Sequence, residues 1–269
     1  MTTSKKISIK SPLRYPGGKA RLVKQILAMA PEDYREYREP FLGGGSVLFG
    51  VHEVKPDIDK KVGDSFEPLY QFWRSMKDNS EDVVSNIDYI RKHYKEKKLW
   101  EHCREKVVSD VRDDSYKAAC YFILNRITFS GLTLSGGYSQ ASYETRFNET
   151  HINRLKETSK VFKTVEVFHE DYTHLLSIAG SNVWIYLDPP YDIKSDNLYG
   201  SAGASHKGFD HIKFADDCKS CNHKWLITYN DNEKIRDLYS SWANVVEVPV
   251  KYSMNSTAKV TQELFITNY

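Results

Sequence analysis

"WIYLDPPYDI", Trp184 to Ile193, opens as an apolar run and stops at two consecutive prolines with an acid before them and an aromatic ring after. The apolar half reads as a buried strand. Proline has no N–H for a sheet ladder and fixes its own φ, so Pro189 and Pro190 end the strand and hold the chain in a rigid, extended exit. Asp188 and Tyr191 are thereby presented at the strand's carboxyl end. In an open α/β sheet ligands bind at that edge, so a fixed carboxylate, exposed backbone carbonyls and an aromatic ring describe a pocket for something flat and amine-bearing.

Other strands are read outward from this one. Upstream, "REYREPFLGGGSVLFG" gives a short strand, a glycine turn at Gly43 to Gly45 and a helix start, because apolar periodicity changes there. "KKVGDSF" gives a second short strand ending in Asp64, followed by a helix whose apolar stripe is Phe66, Leu69, Tyr70 and Trp73. Downstream come "KTVEVFH" (163–169), the central strand (182–188), "HKWLITY" (223–229), "ANVVEVPV" (243–250) and "QELFITNY" (262–269). Alternating strands and helices indicate a doubly wound α/β sheet. The short polar link before the last strand indicates an antiparallel hairpin closing the sheet's edge.

From about Ser80 to Asn153 the pattern is helical and polar, with no strand of a parallel sheet, and it carries a glycine-, serine- and tyrosine-rich stretch, "SGLTLSGGYSQASYETRF". This reads as an insertion into the α/β frame. We divide the chain accordingly, with 1–74 and 161–269 forming one domain and 75–160 inserted in it.

The chain has 269 residues, 40% hydrophobic and 28% charged, which suits a globular protein with a full core and excludes disordered and collagen-like classes. No apolar run reaches membrane-spanning length, and the basic N-terminus lacks the apolar segment of a secretory signal, so the expected location is the cytoplasm and no membrane partner is expected. Four cysteines are too few to staple a chain this long. Cys218 and Cys221 form an isolated CxxC near His223, without the second close pair that a zinc site wants, so no metal is expected. The net charge of +2 hides two basic stretches: seven Lys or Arg and no acid from Met1 to Lys24, and seven against three acids in "RKHYKEKKLWEHCREK" (91–106). Together they suggest a polyanion-binding face, although the second alone is more simply a solvated helix surface.

A glycine turn after the first strand lets backbone approach a ligand closely, and an acid ending the second strand can accept both hydroxyls of a ribose. Gly43, Gly45 and Asp64 have that arrangement, but the dinucleotide fingerprint would need glycine where Leu48 stands, and no P-loop surrounds Lys19. An adenosine without phosphates, such as S-adenosyl-L-methionine, fits better.

"PLRYPGGK", "EPFLGGGSV", "GDSFEPLY", "NRITFSG", "HEDY", "LDPPY" and the closing "ELFITNY" follow one another in the order seen in the α-class, Dam-like (D12) DNA adenine-N6 methyltransferases, which this chain resembles over nearly its whole length. The resemblance implies a Rossmann-like methyltransferase sheet with a mainly helical target-recognition insertion, and site-specific transfer of a methyl group from S-adenosylmethionine to adenine N6 in double-stranded DNA. It implies that Asp188 and the Pro189 carbonyl accept the N6 protons and that Tyr191 stacks on the flipped base. Tyr15 and Lys19 would contact the cofactor, with Tyr15 standing where some relatives have Trp. Phe41, Gly43 and Gly45 would line its site, Asp64 would hold the ribose, and Asp171 with Tyr172 would read its adenine; Asp171 read alone is a helix N-cap. For DNA, it points to Arg14, to Lys95, Lys97 and Lys98 on phosphates, and to Asn125, Arg126 and Arg146 with the glycine-rich hairpin on bases. Asn125 and Arg126 stand equally well as helix-end structure.

A monomer is expected when free, and a cognate restriction endonuclease is a candidate partner. The rivals are methylation of an exocyclic amine in RNA or at cytosine N4, where the cytosine-N4 enzymes more often carry Ser in place of the acid at 188, and a non-catalytic nucleic-acid-binding protein that keeps the fold. From its position at a strand's exposed end, Asp188→Ala is expected to abolish transfer and leave folding nearly intact.

Overall fold

The computed structural model describes residues 9–110, 113–191, 208–252 and 259–269. Residues 1–8 of the N-terminal basic stretch and 253–258 of the last link therefore lie outside the described residues. The strands are β1 (Glu36–Glu39), β2 (Asp59–Gly63), β3 (Val165–Phe168), β4 (Val183–Leu187), β5 (Lys224–Asn230), β6 (Asn244–Tyr252) and β7 (Lys259–Thr267). They form one sheet in the order β3-β2-β1-β4-β5-β7-β6. The first five places are parallel, and β7 runs antiparallel to both β5 and β6. The expected doubly wound sheet with an antiparallel edge is thus present.

Chain order decides where a site can lie. From β1 the chain moves outward through β2 to β3, then crosses back to lay β4 and β5 on the other side. The β1/β4 boundary is therefore the topological switch point, where diverging connections open a crevice at the strands' carboxyl ends. All five residues of β4 are buried, as a central strand covered on both faces requires. β1, "EYRE", is buried just as fully despite its charges. Arg38 there donates to Glu36 at 2.6 Å and to the carbonyls of Leu175, Ile178 and Ala179.

Helices flank the sheet: α1 (Val23–Ala28), α2 (Ser46–Val54), α3 (Glu67–Asp78), α9 (Tyr172–Ser177), α10 (His211–Ser220) and α11 (Glu233–Tyr239). On α3 the buried stripe is Leu69, Phe72, Trp73 and Met76, with Pro68 in the first turn and Phe66 just outside as N-cap. The inserted segment contributes α4 (Ser80–His93), α5 (Glu96–Val108), α6 (Asp114–Ile127), α7 (Gln140–Arg146) and α8 (Glu149–Phe162). Its centre is α6, buried without a break from Ala118 to Ile127 and packed by α3, α4, α5 and α7. A helix apolar on all sides is stable only when surrounded, and α6 is.

Two expectations are revised. The boundaries at 74/75 and 160/161 cut through α3 and α8, so the structural limits of the insertion are the ends of those helices. Val83, Ile87 and Phe122 of the insertion share a continuous core with Val62 and Trp184 of the sheet, so it does not pack as a separate body. The glycine-rich stretch is also not a hairpin. A single bridge joins Thr128 to Tyr138, and between them lie two 3-10 turns, Phe129–Gly131 and Thr133–Ser135. Ser130 and Thr133 have φ of 51° and 50°, which coils the chain back on itself and prevents an extended strand.

All four cysteines are free thiols. Among the described residues no helix is long and apolar enough to cross a membrane, and no group of three His, Cys, Asp or Glu is placed to hold a metal.

Candidate active site

The carboxyl ends of β1 and β4 meet at the switch point in one cavity, bordered by residues from six separate stretches of sequence, among them Tyr15, Lys19, Gly43, Asp64, Asp171 and Asp188. Asp188 follows β4 directly and is held from several sides. Lys19 donates to both of its carboxylate oxygens at 2.8 Å and to the Gly17 carbonyl at 2.9 Å. Thr228 Oγ1, on β5, donates to Asp188 Oδ1 at 3.0 Å, and Tyr186 shares that hydroxyl at 2.8 Å. The Lys19 ammonium also lies 4.8 Å from the centre of the Tyr191 ring, a cation–π distance. Tyr191 donates its hydroxyl to Glu263 on β7 at 2.9 Å. Burial, aided by the charges of Asp188 and Glu263, pushes the Tyr191 phenol well above its ordinary value, so it stays a neutral donor.

The other half of the cavity is the turn between β1 and α2. Gly43 and Gly45 have φ of 50° and 68°, and Gly45 is the N-cap of α2. A Cβ on Gly43 would stand 2.8 Å from the Tyr15 ring, so the turn is closed down on Tyr15 in a way only glycine permits. Asp64, just past β2, is pinned by two backbone donors, Gly43 N to Oδ2 and Phe66 N to Oδ1, both at 3.0 Å. Burial outweighs these donors and lifts the Asp64 carboxyl to about 6. Trp73 locks the turn from beneath, donating Nε1 to the Gly43 carbonyl at 3.0 Å. Asp171 is the N-cap of α9, accepting from Thr173 N at 3.0 Å, and it also borders the cavity, so its two readings are compatible. Tyr172 stacks on Phe41, centroids 5.6 Å apart and planes 24° apart, giving the cavity an aromatic wall.

Glu39, Thr228 and Glu263 were absent from the sequence-based site. Glu39 ends β1 inside the cavity, accepts from Tyr37 at 2.8 Å, and is pushed well up by burial and then by the charges of Asp188 and Asp64. A sequence signal existed for Glu39, an acid at a strand end next to the glycine turn, and for Glu263, an acid directly before the apolar run 264–266. Thr228 gave none.

The DNA-directed expectations divide. Asn125 is fully buried: Oδ1 accepts from Arg14 N at 2.8 Å, and Nδ2 donates to the carbonyls of Arg14 at 2.7 Å and Gly131 at 3.2 Å. Arg126, also buried, donates to the carbonyls of Arg146 at 2.9 Å and Pro12 at 3.1 Å. Both therefore splice the N-terminal segment to α6, and neither has an edge to offer a base. Arg146 is exposed at the end of α7, on a helix and not in a hairpin. Lys95, Lys97 and Lys98 are exposed where α5 begins, away from the cavity. The expectation that Asp188→Ala spares folding is also revised, since Asp188 is the anionic partner of a buried Lys19.

A Gly-rich turn after β1 and acids after β2 and β4 converge at the switch point of this sheet, the arrangement expected of an S-adenosylmethionine-dependent methyltransferase. The chain belongs to the D12 class N6 adenine-specific DNA methyltransferases, whose family model matches residues 15–254. It is 25% identical to the Type II methyltransferase M.CviBI of Paramecium bursaria Chlorella virus NC1A, covering 91% of each chain. It is 24% identical to the Type II methyltransferase M1.LlaDCHI of Lactococcus lactis subsp. cremoris, over 98% of this chain and 97% of that one. With M.MjaIII, a Type II methyltransferase of Methanocaldococcus jannaschii, identity is 26% over 69% of this chain and 70% of the relative. The protein is a site-specific DNA methyltransferase that moves a methyl group from S-adenosylmethionine to adenine N6.

Proposed function

We propose that Asp188, the Pro189 carbonyl and Tyr191 carry the transfer, and that Tyr15, Phe41, Gly43, Gly45, Asp64, Asp171 and Tyr172 hold the cofactor. The observation that supports this most is the convergence of an oriented carboxylate, a glycine turn and a pinned ribose acid on one cavity. The cavity suits the cofactor: Gly43 leaves room where a Cβ would intrude, Asp64 offers a carboxyl, and Phe41 with Tyr172 offers aromatic surface. When bound, S-adenosylmethionine supplies an activated methyl group on a sulfonium.

An adenine amino group is a poor nucleophile because its lone pair is delocalised into the ring. Two acceptors that take its N–H protons favour a pyramidal nitrogen and localise the pair, stabilising charge as it develops. A carboxylate has about four acceptor positions, and Lys19 and Thr228 occupy three at Asp188. The one left over is where Asp188 accepts from N6, with the Pro189 carbonyl taking the second proton. Lys19 fixes the carboxylate's orientation. The base reaches this point only by leaving the duplex, and Tyr191, tethered through Glu263, is the ring on which it stacks.

The segment from α4 to α8 acts in this reading as the target-recognition region, with the coil at 128–138 and Arg146 facing the bases. The Type II names of several relatives favour a cognate restriction endonuclease as partner, and a monomer in the cytoplasm fits the rest. Sequencing that detects modified adenines, run on DNA treated with the protein and with Arg146→Ala, tests the division of roles. A changed motif supports recognition by this region, and an unchanged motif at wild-type yield contradicts it.

A further inference from the structure

A second cleft adjoins the active-site cavity and shares Tyr15, Gly18 and Ser46 with it. Lys10, Arg21, Lys24 and Arg154 line it, and no Asp or Glu does. Behind it stands a cluster of arginines with the same imbalance. Arg14, Arg126, Arg146 and Arg154 form no ion pair with a carboxylate among the described residues. Arg14 and Arg126 are satisfied by neutral partners only, such as the carbonyls of Thr128 and Pro12. The uncompensated charge is felt locally. Arg126 is pulled down to about 9, by burial and then by Arg14, Arg154 and Arg146. His151 is pulled down to about 4, by burial and then by the same four arginines.

The basic stretch on α4 and α5 is different. Arg91 pairs with Asp88 and Glu149, Lys97 reaches Glu101, and Lys106 pairs with Glu105, so part of the charge there is offset by carboxylates. Lys10, Lys24 and Arg154, with the arginines behind them, set positive charge beside a pocket that must receive a base, and that makes a site for a row of phosphates.

We propose that the cleft between the N-terminal segment and α8 holds the phosphate backbone of the DNA duplex next to the target adenine, with Lys10, Arg21, Lys24 and Arg154 as the phosphate ligands. The proposal rests on the DNA-methyltransferase reading and moves the main phosphate-positioning role away from Lys95, Lys97 and Lys98. Contacts of this kind fix where the duplex lies without reading its sequence, so the target motif should survive their loss.

The test is fluorescence anisotropy of a labelled duplex of arbitrary sequence, titrated with the full chain at a series of salt concentrations. Each phosphate contact removed lowers the slope of log K against log salt by about 0.9. Lys24→Ala and Arg154→Ala should each do so, the pair by about 1.8, equally on unrelated duplexes and with S-adenosylmethionine affinity unchanged. Arg154→Lys should restore the slope, which loss of structure would not. Lys24 is exposed on α1, so its variant keeps the test decisive if Arg154→Ala lowers the melting temperature. An unchanged slope in the Lys24 and Arg154 variants, or a fall of the same size in Lys97→Ala/Lys98→Ala in its place, overturns the proposal. Failure of the wild-type chain to bind any duplex is a separate outcome and contradicts the DNA reading itself.

Discussion

Replacing Asp188 with Asn keeps the side chain's shape and one acceptor oxygen but removes the charge that faces Lys19. The Lys19 side chain is only 4% exposed and lies 2.8 Å from the carboxylate, whose own side chain is 21% exposed. Stranding one member of a fully buried ion pair costs about 3–5 kcal/mol. With a fifth of Asp188 open to solvent we reduce this to about 2–3 kcal/mol, a fall of about 5–10 °C in Tm for a chain of this size. Transfer should suffer separately, because a charged acceptor at N6 is lost. By analogy with the loss of one oxyanion-hole donor, the rate should fall by about 10²–10³. The two effects come apart in the double variant Lys19→Met/Asp188→Asn, which removes both charges of the pair. Its stability should return to within about 1 kcal/mol of wild type, a coupling of the size expected for residues in contact, while transfer stays low. Thermal melts and single-turnover incorporation of radiolabelled methyl groups into genomic DNA read the two quantities without knowledge of the target site. If Asp188→Asn melts and transfers like wild type, or if the double variant recovers transfer, the account of Asp188 is wrong.

Asp64→Ala should weaken S-adenosylmethionine binding in calorimetry while duplex binding persists; equal affinity would remove Asp64 from the ribose site. Because burial lifts Asp64 to about 6, it carries a proton below that pH, and a ribose that needs the carboxylate should bind about tenfold more weakly per pH unit lower. The same upward shift means that Asp64's contribution to folding stability is present at low pH and is lost as pH rises through about 6. Gly43→Ala forces a Cβ to 2.8 Å from the Tyr15 ring at a φ of 50° and should reduce cofactor affinity more than Gly137→Ala, where no atom stands within 4 Å. Asn125→Ala strands the half-buried N–H and carbonyl of Arg14 and should cost about 1–3 kcal/mol in denaturant melts. A loss below that range would show that the N-terminal segment is not tied down there.

The central strand was legible as an apolar run ended by proline, and Asp64 and Asp188 because each directly follows a strand; Asp171, with two residues between it and β3, came from the family resemblance. Partnerships across the chain were not. Lys19 and Asp188 are 169 positions apart, and nothing local to either marks the other. Asn125 and Arg126 looked available because polar side chains usually lie outside, but α6 is the centre of the insertion and turns them inward. The coil at 128–138 was misread as a hairpin because its composition suits either, and the choice lies in positive φ at Ser130 and Thr133. Boundaries placed at 74/75 and 160/161 missed the helix ends because α3 and α8 serve both the sheet and the insertion, so no change of composition separates them.

The acids and glycine turn at the β1/β4 switch point are proposed to bring S-adenosylmethionine and adenine N6 together for methyl transfer. Incubating the purified chain with S-adenosylmethionine and unmodified DNA, then digesting the DNA to nucleosides for mass spectrometry, tests that proposal most directly. The account predicts N6-methyladenine as the methylated base, sharply reduced with Asp188→Asn. Methylated cytosine N4 in its place, no methylated base from the wild-type chain, or an undiminished yield from Asp188→Asn would contradict it.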